Sequence, residues 1–352
     1  MEQYRIHKEK GLEFGLYTLG DHIPNPLTGH RISAQQRIKE IIELSQLAEQ
    51  AGIDVFAVGE SHQQYFTTQA HSVVLGAIAQ ATNTIKLASS ATVLSVADPV
   101  RVYEDFATID LISNGRAEIV AGRGSRVGAH ELFGVSLRDY EDIFEEKLAL
   151  LKQLNEQEVI NYEGKFRPSL ENARILPQPL NGSLPIWRAV GGPPQSAIKA
   201  GYMGIPMMLT TLGGPAAYFK PSADAYREAA ERSGHDPASL PIATTSLFYV
   251  AETAKQAVEE MHPHLNTGFQ AIRGSGYPKQ QVENALDVHD ALMVGGASEI
   301  VEKLLYQHEL FGMQRFMAQI DFGGVPFDKL MKNIEIIGND ILPAIKKYTT
   351  KQ

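Results

Sequence analysis

The chain has 352 residues, 43% of them apolar and 21% charged, which is enough to bury a large core as one big domain or as two and too apolar for general disorder. A net charge of −9, with lysine and arginine scattered rather than clustered, argues against a nucleic-acid or anionic-membrane surface. The absence of cysteine excludes disulfides, thiolate zinc sites and cysteine nucleophiles together. Met1 to Phe14 lack the apolar core of a signal peptide, and no stretch approaches the ~18 apolar residues of a membrane span. A soluble, cytoplasmic protein is expected.

In chain order, short β-like runs alternate with amphipathic helical runs. Leu12 to Leu19 reads as the first strand. Ser33 caps a helix whose Ile38, Ile41, Ile42, Leu44 and Leu47 recur at helical spacing until Gly52 stops it. Val55 to Val58 is the second strand and Val73 to Ala81 belongs to the second helix. Lys86 to Ser90 opens the third strand, which extends towards Leu94, and Asp98-Pro99 starts the third helix as an N-cap followed by proline. Ala117 to Gly122 is the fourth strand, Tyr140 to Leu154 a helix, Pro185 to Val190 the fifth strand, Ser196 to Ala200 a short helix and Pro206 to Thr210 the sixth strand. Pro215 to Ser233 is helical, Ile242 to Val250 the seventh strand, Ala297 to Phe311 helical, Arg315 to Ile320 the eighth strand, and Phe327 to Lys346 the closing helix.

Eight strands each followed by helix match a (β/α)₈ TIM barrel, whose core needs only ~250 residues. The surplus falls in two polar segments, about 156–181 and 266–290, and long irregular segments in a compact domain are usually lids or binding loops. No repeat or linker divides the chain, so a single domain with insertions at the C-terminal face of the strands is expected. A doubly wound open sheet is the structural competitor, because βα alternation alone does not separate the two.

Barrel chemistry gathers at the carboxyl ends of the strands. The second strand ends in Gly59-Glu60-Ser61-His62, and the third in Ser89-Ser90-Ala91-Thr92, small residues that leave room for a flat ring. The fourth opens onto Gly122-Arg123-Gly124. An arginine there is either an anion ligand, gripping a phosphate through paired hydrogen bonds, or a surface residue of an ordinary corner. The fifth strand runs through Gly191-Gly192 to Ser196 at a helix start, where free N–H groups and a hydroxyl suit an anion. Neighbouring strands would thus hold one phosphate from two sides.

Several phrases in order resemble the bacterial luciferase-like flavin-dependent monooxygenases, from about Phe14 to Pro343: FGLYTLG, LAEQAGIDVFAVGESH, ATNTIKLASSATVLSVADPVRVYEDFATIDLISNGRAEIVAGRG, PIWRAVGGPPQSAIKAGYMGIPMML and VGGASEIVEKLLYQHELFGMQRF. The resemblance implies FMN at the barrel mouth, its phosphate on Arg123, Gly191, Gly192 and Ser196, and a non-prolyl cis peptide at Ser90-Ala91 beside the ring. It also implies a reaction of reduced flavin and dioxygen with a small organic, apolar substrate, with reducing equivalents from NAD(P)H directly or from a separate flavin reductase. A homodimer through helices two and three is expected from the same source. The chain departs from the light-emitting subunit, which has Glu-His-His where Glu60-Ser61-His62 stands and a cysteine where Gly122 stands, so light emission is not expected.

His62 is the candidate catalytic residue, binding substrate or moving protons near the flavin, with Glu60 beside it. The competing reading of Glu60 is a buried structural carboxylate paired with Arg116 or Arg101. Asp110 and Arg116 read as a corner-stabilising pair, Trp187 as core rather than a ring stacker, and His262-Pro263-His264 as no metal site for want of a third ligand nearby. Gly122-x-Gly124-x-x-x-Gly128 has the wrong spacing for a dinucleotide fingerprint. Substrate choice falls to the insertions and to Tyr65, Phe66 and Met208. Two alternatives are a deazaflavin-dependent dehydrogenase or reductase, which needs no oxygen, and a non-catalytic flavin-binding protein.

Overall fold

Strand after strand, residues that alternate between two buried faces roll into a closed barrel of eight parallel strands. In the computed structural model, which describes residues 1–124, 127–191 and 193–350, these are β1 (Glu13–Thr18), β2 (Val55–Val58), β3 (Lys86–Ser89), β4 (Ala117–Gly122), β5 (Ile186–Val190), β6 (Met207–Thr210), β7 (Ile242–Val250) and β8 (Arg315–Gln319). Each pairs with its successor, and β8 returns to β1 in the register Arg315↔Glu13, closing the (β/α)₈ barrel. Both faces of these strands are buried, which is why they read as nearly continuous apolar runs.

Helices α1 (Ala34–Gln50), α2 (His71–Ala81), α3 (Pro99–Ile112), α4 (Val127–Leu132), α5 (Tyr140–Glu156), α6 (Gln195–Met203) and α7 (Lys220–Arg232) precede a long α8 (Ala254–Arg273). After it come α9 (Lys279–Asn284), α10 (Ala297–Phe311), α11 (Phe327–Ile336) and α12 (Leu342–Thr349). The expected caps are in place: Gln36 N–H donates to Ser33 Oγ at 3.1 Å, and Val100 N–H to Asp98 Oδ1 at 2.9 Å. Among the described residues, no helix is long and apolar enough to cross a membrane.

The structure departs from the sequence reading at four points. Residues 266–273 are not irregular but finish α8, whose buried Ala257, Val258, Met261, His264, Leu265 and Gly268 recur at helical spacing. In the other surplus segment, Ile160–Tyr162 and Leu170–Ala173 form an antiparallel hairpin. The third strand stops at Ser89, and Thr92–Val93 then pairs separately with β4. Asp110 and Arg116 do not bind each other. Asp110 accepts from Arg5 and from the Ala117 and Leu180 amides, while Arg116 donates to the carbonyls of Ala79, Thr82 and Ile85, capping the end of α2.

The barrel floor is charged. Arg315 donates Nε to Glu13 at 2.8 Å and both terminal nitrogens to Glu118, at 2.6 and 3.1 Å. Lys86 completes the pairing of Glu13, and Trp187 donates its indole N–H to Glu118 at 3.1 Å beneath the guanidinium. Trp187 is therefore core, as its position on a strand suggested. Burial alone raises Glu13, but Arg315 and Lys86 outweigh it and hold the carboxyl below its ordinary range. Replacing Arg315 with methionine leaves the buried Glu118 without a cation and Glu13 with Lys86 alone, so we expect a loss of about 3–5 kcal/mol, read as a lowered urea midpoint. An unchanged midpoint would show that the floor network is dispensable.

Candidate active site

Above that floor, the carboxyl ends of the strands enclose a cavity of about 400 Å³. Its polar end is built by β2 and β4, and its apolar walls by Ala91, Val93, Ala189, Val190 and Met208. The two sides are locked together by a close approach. A Cβ on Gly59 would lie 2.1 Å from the Ser90 carbonyl oxygen, so only glycine lets the end of β2 pass beneath the third strand's loop. The Ser90-Ala91 peptide in that loop is cis, as the family resemblance implied, and both residues line the cavity.

Glu60 is tied to this loop through its backbone and its side chain. Its N–H donates to Ala91 O at 3.0 Å, and its Oε2 accepts the Val93 N–H at 2.7 Å. The other carboxylate oxygen lies 2.6 Å from His62 Nε2. Neither Arg101 nor Arg116 is its partner, which corrects that reading: Arg101 pairs with Glu104, and Arg116 is spent on helix carbonyls. Burial raises the Glu60 carboxyl above its usual value, against the pull of His62 and the Val93 amide. Behind it His71, which the sequence reading passed over, bonds Thr92 Oγ1 at 2.8 Å, with its other ring nitrogen 3.8 Å from Glu60. Burial pushes His71 down to about 4, so it is neutral at physiological pH. Glu60 and His62 both line the cavity, which makes them a hydrogen-bonded acid–base pair at its wall.

Arg123 and Gly191 stand at the ends of adjacent strands and both line the cavity, as expected. A Cβ on Gly191 would meet nothing within 4 Å, so the backbone there is open to a ligand. Gly192 lies outside the described residues. Ser196 does not line the cavity: it is buried on α6, where Arg188 donates Nε to its hydroxyl at 3.3 Å. Arg123 itself is paired with Glu141 of α5 at 2.7 Å, a partner the sequence gave no reason to expect.

Of the residues assigned to substrate choice, Met208 lines the cavity, whereas Tyr65 and Phe66 are not among its walls. His262 and His264 fasten α8 to the carbonyls of Tyr277 and Gly323, and among the described residues no cluster could hold a metal ion. A cation beside an open glycine, an acid–base pair and apolar walls around one cavity fit a planar cofactor bearing a phosphate.

Comparison with known proteins agrees with this geometry. The luciferase-like monooxygenase family profile matches residues 12–314. The flavin-dependent trigonelline monooxygenase, oxygenase component, of Acinetobacter baylyi is 25% identical over 342 residues, covering 90% of this chain and 93% of its own. The F420-dependent glucose-6-phosphate dehydrogenase of Segniliparus rotundus is 24% identical over 339 residues, covering 90% and 97%. The FMN complex of the oxygenating constituent of 3,6-diketocamphane monooxygenase from Pseudomonas putida superposes with a TM-score of 0.77 at 19% identity, covering 95% and 98%. The chain therefore belongs to the luciferase-like monooxygenase family, an oxidoreductase on a (β/α)₈ barrel.

Proposed function

We propose that the protein is an FMN-dependent monooxygenase that uses reduced flavin and dioxygen on a small organic, largely apolar substrate. The observation that carries this reading is that Arg123 and the open Gly191 backbone stand at the ends of neighbouring strands and both line a cavity walled in part by the Ser90-Ala91 loop. Arg123 and the Gly191 backbone would hold the phosphate, and Ser90 and Ala91 would lie beside the ring. When bound, reduced FMN supplies the electrons that activate dioxygen. The chain's own contribution is to bind, to orient and to exclude water.

Within that scheme, the Glu60–His62 pair holds or moves a proton at His62, on the cavity wall. Substrate selection falls to Met208 and to a second cavity of about 590 Å³ between Leu212–Pro215 and the side chains of Phe269, Arg273 and Tyr277. Leu212 follows Thr210 of the first cavity by two residues, and we assign the second cavity as the substrate's approach. Delivery of reduced flavin by a separate reductase is supported by the relative described as an oxygenase component. A homodimer through α2 and α3 belongs to the same proposal, on the strength of the family resemblance. We place the protein in the cytoplasm.

The test is a side-by-side titration with FMN and with the deazaflavin F420. We expect FMN to bind and Arg123→Ala to weaken it by at least ~1.5 kcal/mol, about tenfold, the scale of a lost charge-assisted hydrogen bond. Equal affinity in the variant overturns the phosphate assignment, and binding of F420 alone selects the dehydrogenase reading, which relatives such as the glucose-6-phosphate dehydrogenase represent.

A second prediction concerns the acid–base pair. Because burial raises Glu60, it keeps its proton to a higher pH than an ordinary carboxyl and ionises as pH rises through that value. The reoxidation rate of protein-bound reduced FMN should therefore show an acid-side limb that Glu60→Gln removes, while FMN affinity stays within about twofold. An identical pH profile in the variant would exclude Glu60 from proton transfer.

A further inference from the structure

We infer that Glu141 is an internal stand-in for the flavin phosphate, engaging Arg123 when the site is empty and giving way to the incoming phosphate. This rests on the assignment of that phosphate to Arg123. Two donors converge on a single carboxylate oxygen: Arg123 Nη1 reaches Glu141 Oε1 at 2.7 Å, and the hydroxyl of Tyr140 lies 3.4 Å from the same atom. Arg123 and Tyr140 both line the cavity, one at the end of β4 and the other at the start of α5. Glu141 is not itself a wall of the cavity, so its carboxylate meets Arg123 from beside the site and competes with an incoming phosphate for the guanidinium's donors.

Glu145, one turn further along α5, shows what a structural pair looks like in the same surroundings. Glu145 grips Arg188 through two bonds, at 2.7 and 2.6 Å, and also meets Lys199 at 3.0 Å, with the Arg188 side chain only 1% exposed. Arg123 and Glu141 share one bond, with side chains 29% and 50% exposed. An exposed, singly bonded pair contributes little to stability, so Glu141 can swing into solvent at small cost. Arg188 is committed, whereas Arg123 is held in reserve.

The exchange has a consequence for the cofactor. The displaced carboxylate stays on the same turn of helix and repels the phosphate that replaced it, so the site binds FMN more weakly than Arg123 and Tyr140 alone would. A weakened phosphate site suits a flavin that arrives reduced and leaves oxidised, rather than one retained through many turnovers. Tyr140 becomes a second phosphate-binding residue by the same geometry.

The test uses the full-length protein with two probes, FMN and riboflavin, followed by flavin fluorescence. Glu141→Gln should tighten FMN about three- to tenfold, an effect that shrinks as salt is raised, and leave riboflavin within about twofold. Glu141→Ala should change FMN affinity in the same direction, which guards against an effect peculiar to the amide. Unchanged or weaker FMN binding in both variants overturns the exchange. Weakening by Arg123→Ala alongside an inert Glu141→Gln removes the stand-in but keeps the phosphate site, whereas an inert Arg123→Ala removes the phosphate site itself.

Discussion

Arg315 bridges the barrel floor from β8 to Glu13 on the adjoining β1 and to Glu118 on β4, half the circumference away. A parallel barrel closes only when its first and last strands meet in the right register, and here the residues that meet are the two halves of an ion pair. Such a buried network is costly to break and specific in what it accepts, since each carboxylate oxygen has its own donor. Slipping the β8–β1 register by one residue would turn Arg315 out of the barrel and leave Glu118 without its cation. With register set at the floor, the strand ends at the mouth are set too.

At that mouth the backbone positions the chemistry. Gly59 passes under Ser90, and the Glu60 N–H and carboxylate take the Ala91 carbonyl and the Val93 amide, so the acid–base pair is built onto the loop that forms the cavity wall. Further round, α5 arranges the cations of the next two strand ends. Glu145 holds Arg188 within the packing, where its Nε also donates to Ser196, while Glu141, one turn earlier, pairs with the more exposed Arg123. One helix thus sorts two arginines into a structural role and a ligand-facing role.

The order of the strands and the mouth residues Glu60, His62, Ser90, Ala91, Arg123 and Gly191 were legible because each follows a short apolar run at a strand end, where local sequence decides position. What escaped depended on side chains meeting across the fold. Ser196 stands at the helix start where an anion ligand was expected, yet it is buried beside an arginine eight residues earlier and is not among the cavity walls. Glu60 found its partner two residues away rather than in the distant arginines. Glu141 is eighteen residues from Arg123, with nothing in the intervening text to mark the pairing. The missed helix α8 is a different case. Its apolar spacing and the Thr253 cap, which accepts the Gln256 N–H at 3.2 Å, are present in the sequence, but Pro263 interrupts the period with a residue that ordinarily breaks a helix.

The central claim is that the cavity is a flavin site anchored by its phosphate at the end of β4. A crystal structure of the protein soaked with FMN tests it most directly. The account predicts phosphate density against the Arg123 guanidinium and the Gly191 backbone, with the ring beside Ser90 and Ala91. A phosphate seated elsewhere, or a ring outside the barrel mouth with Arg123 still bound to Glu141, would contradict it.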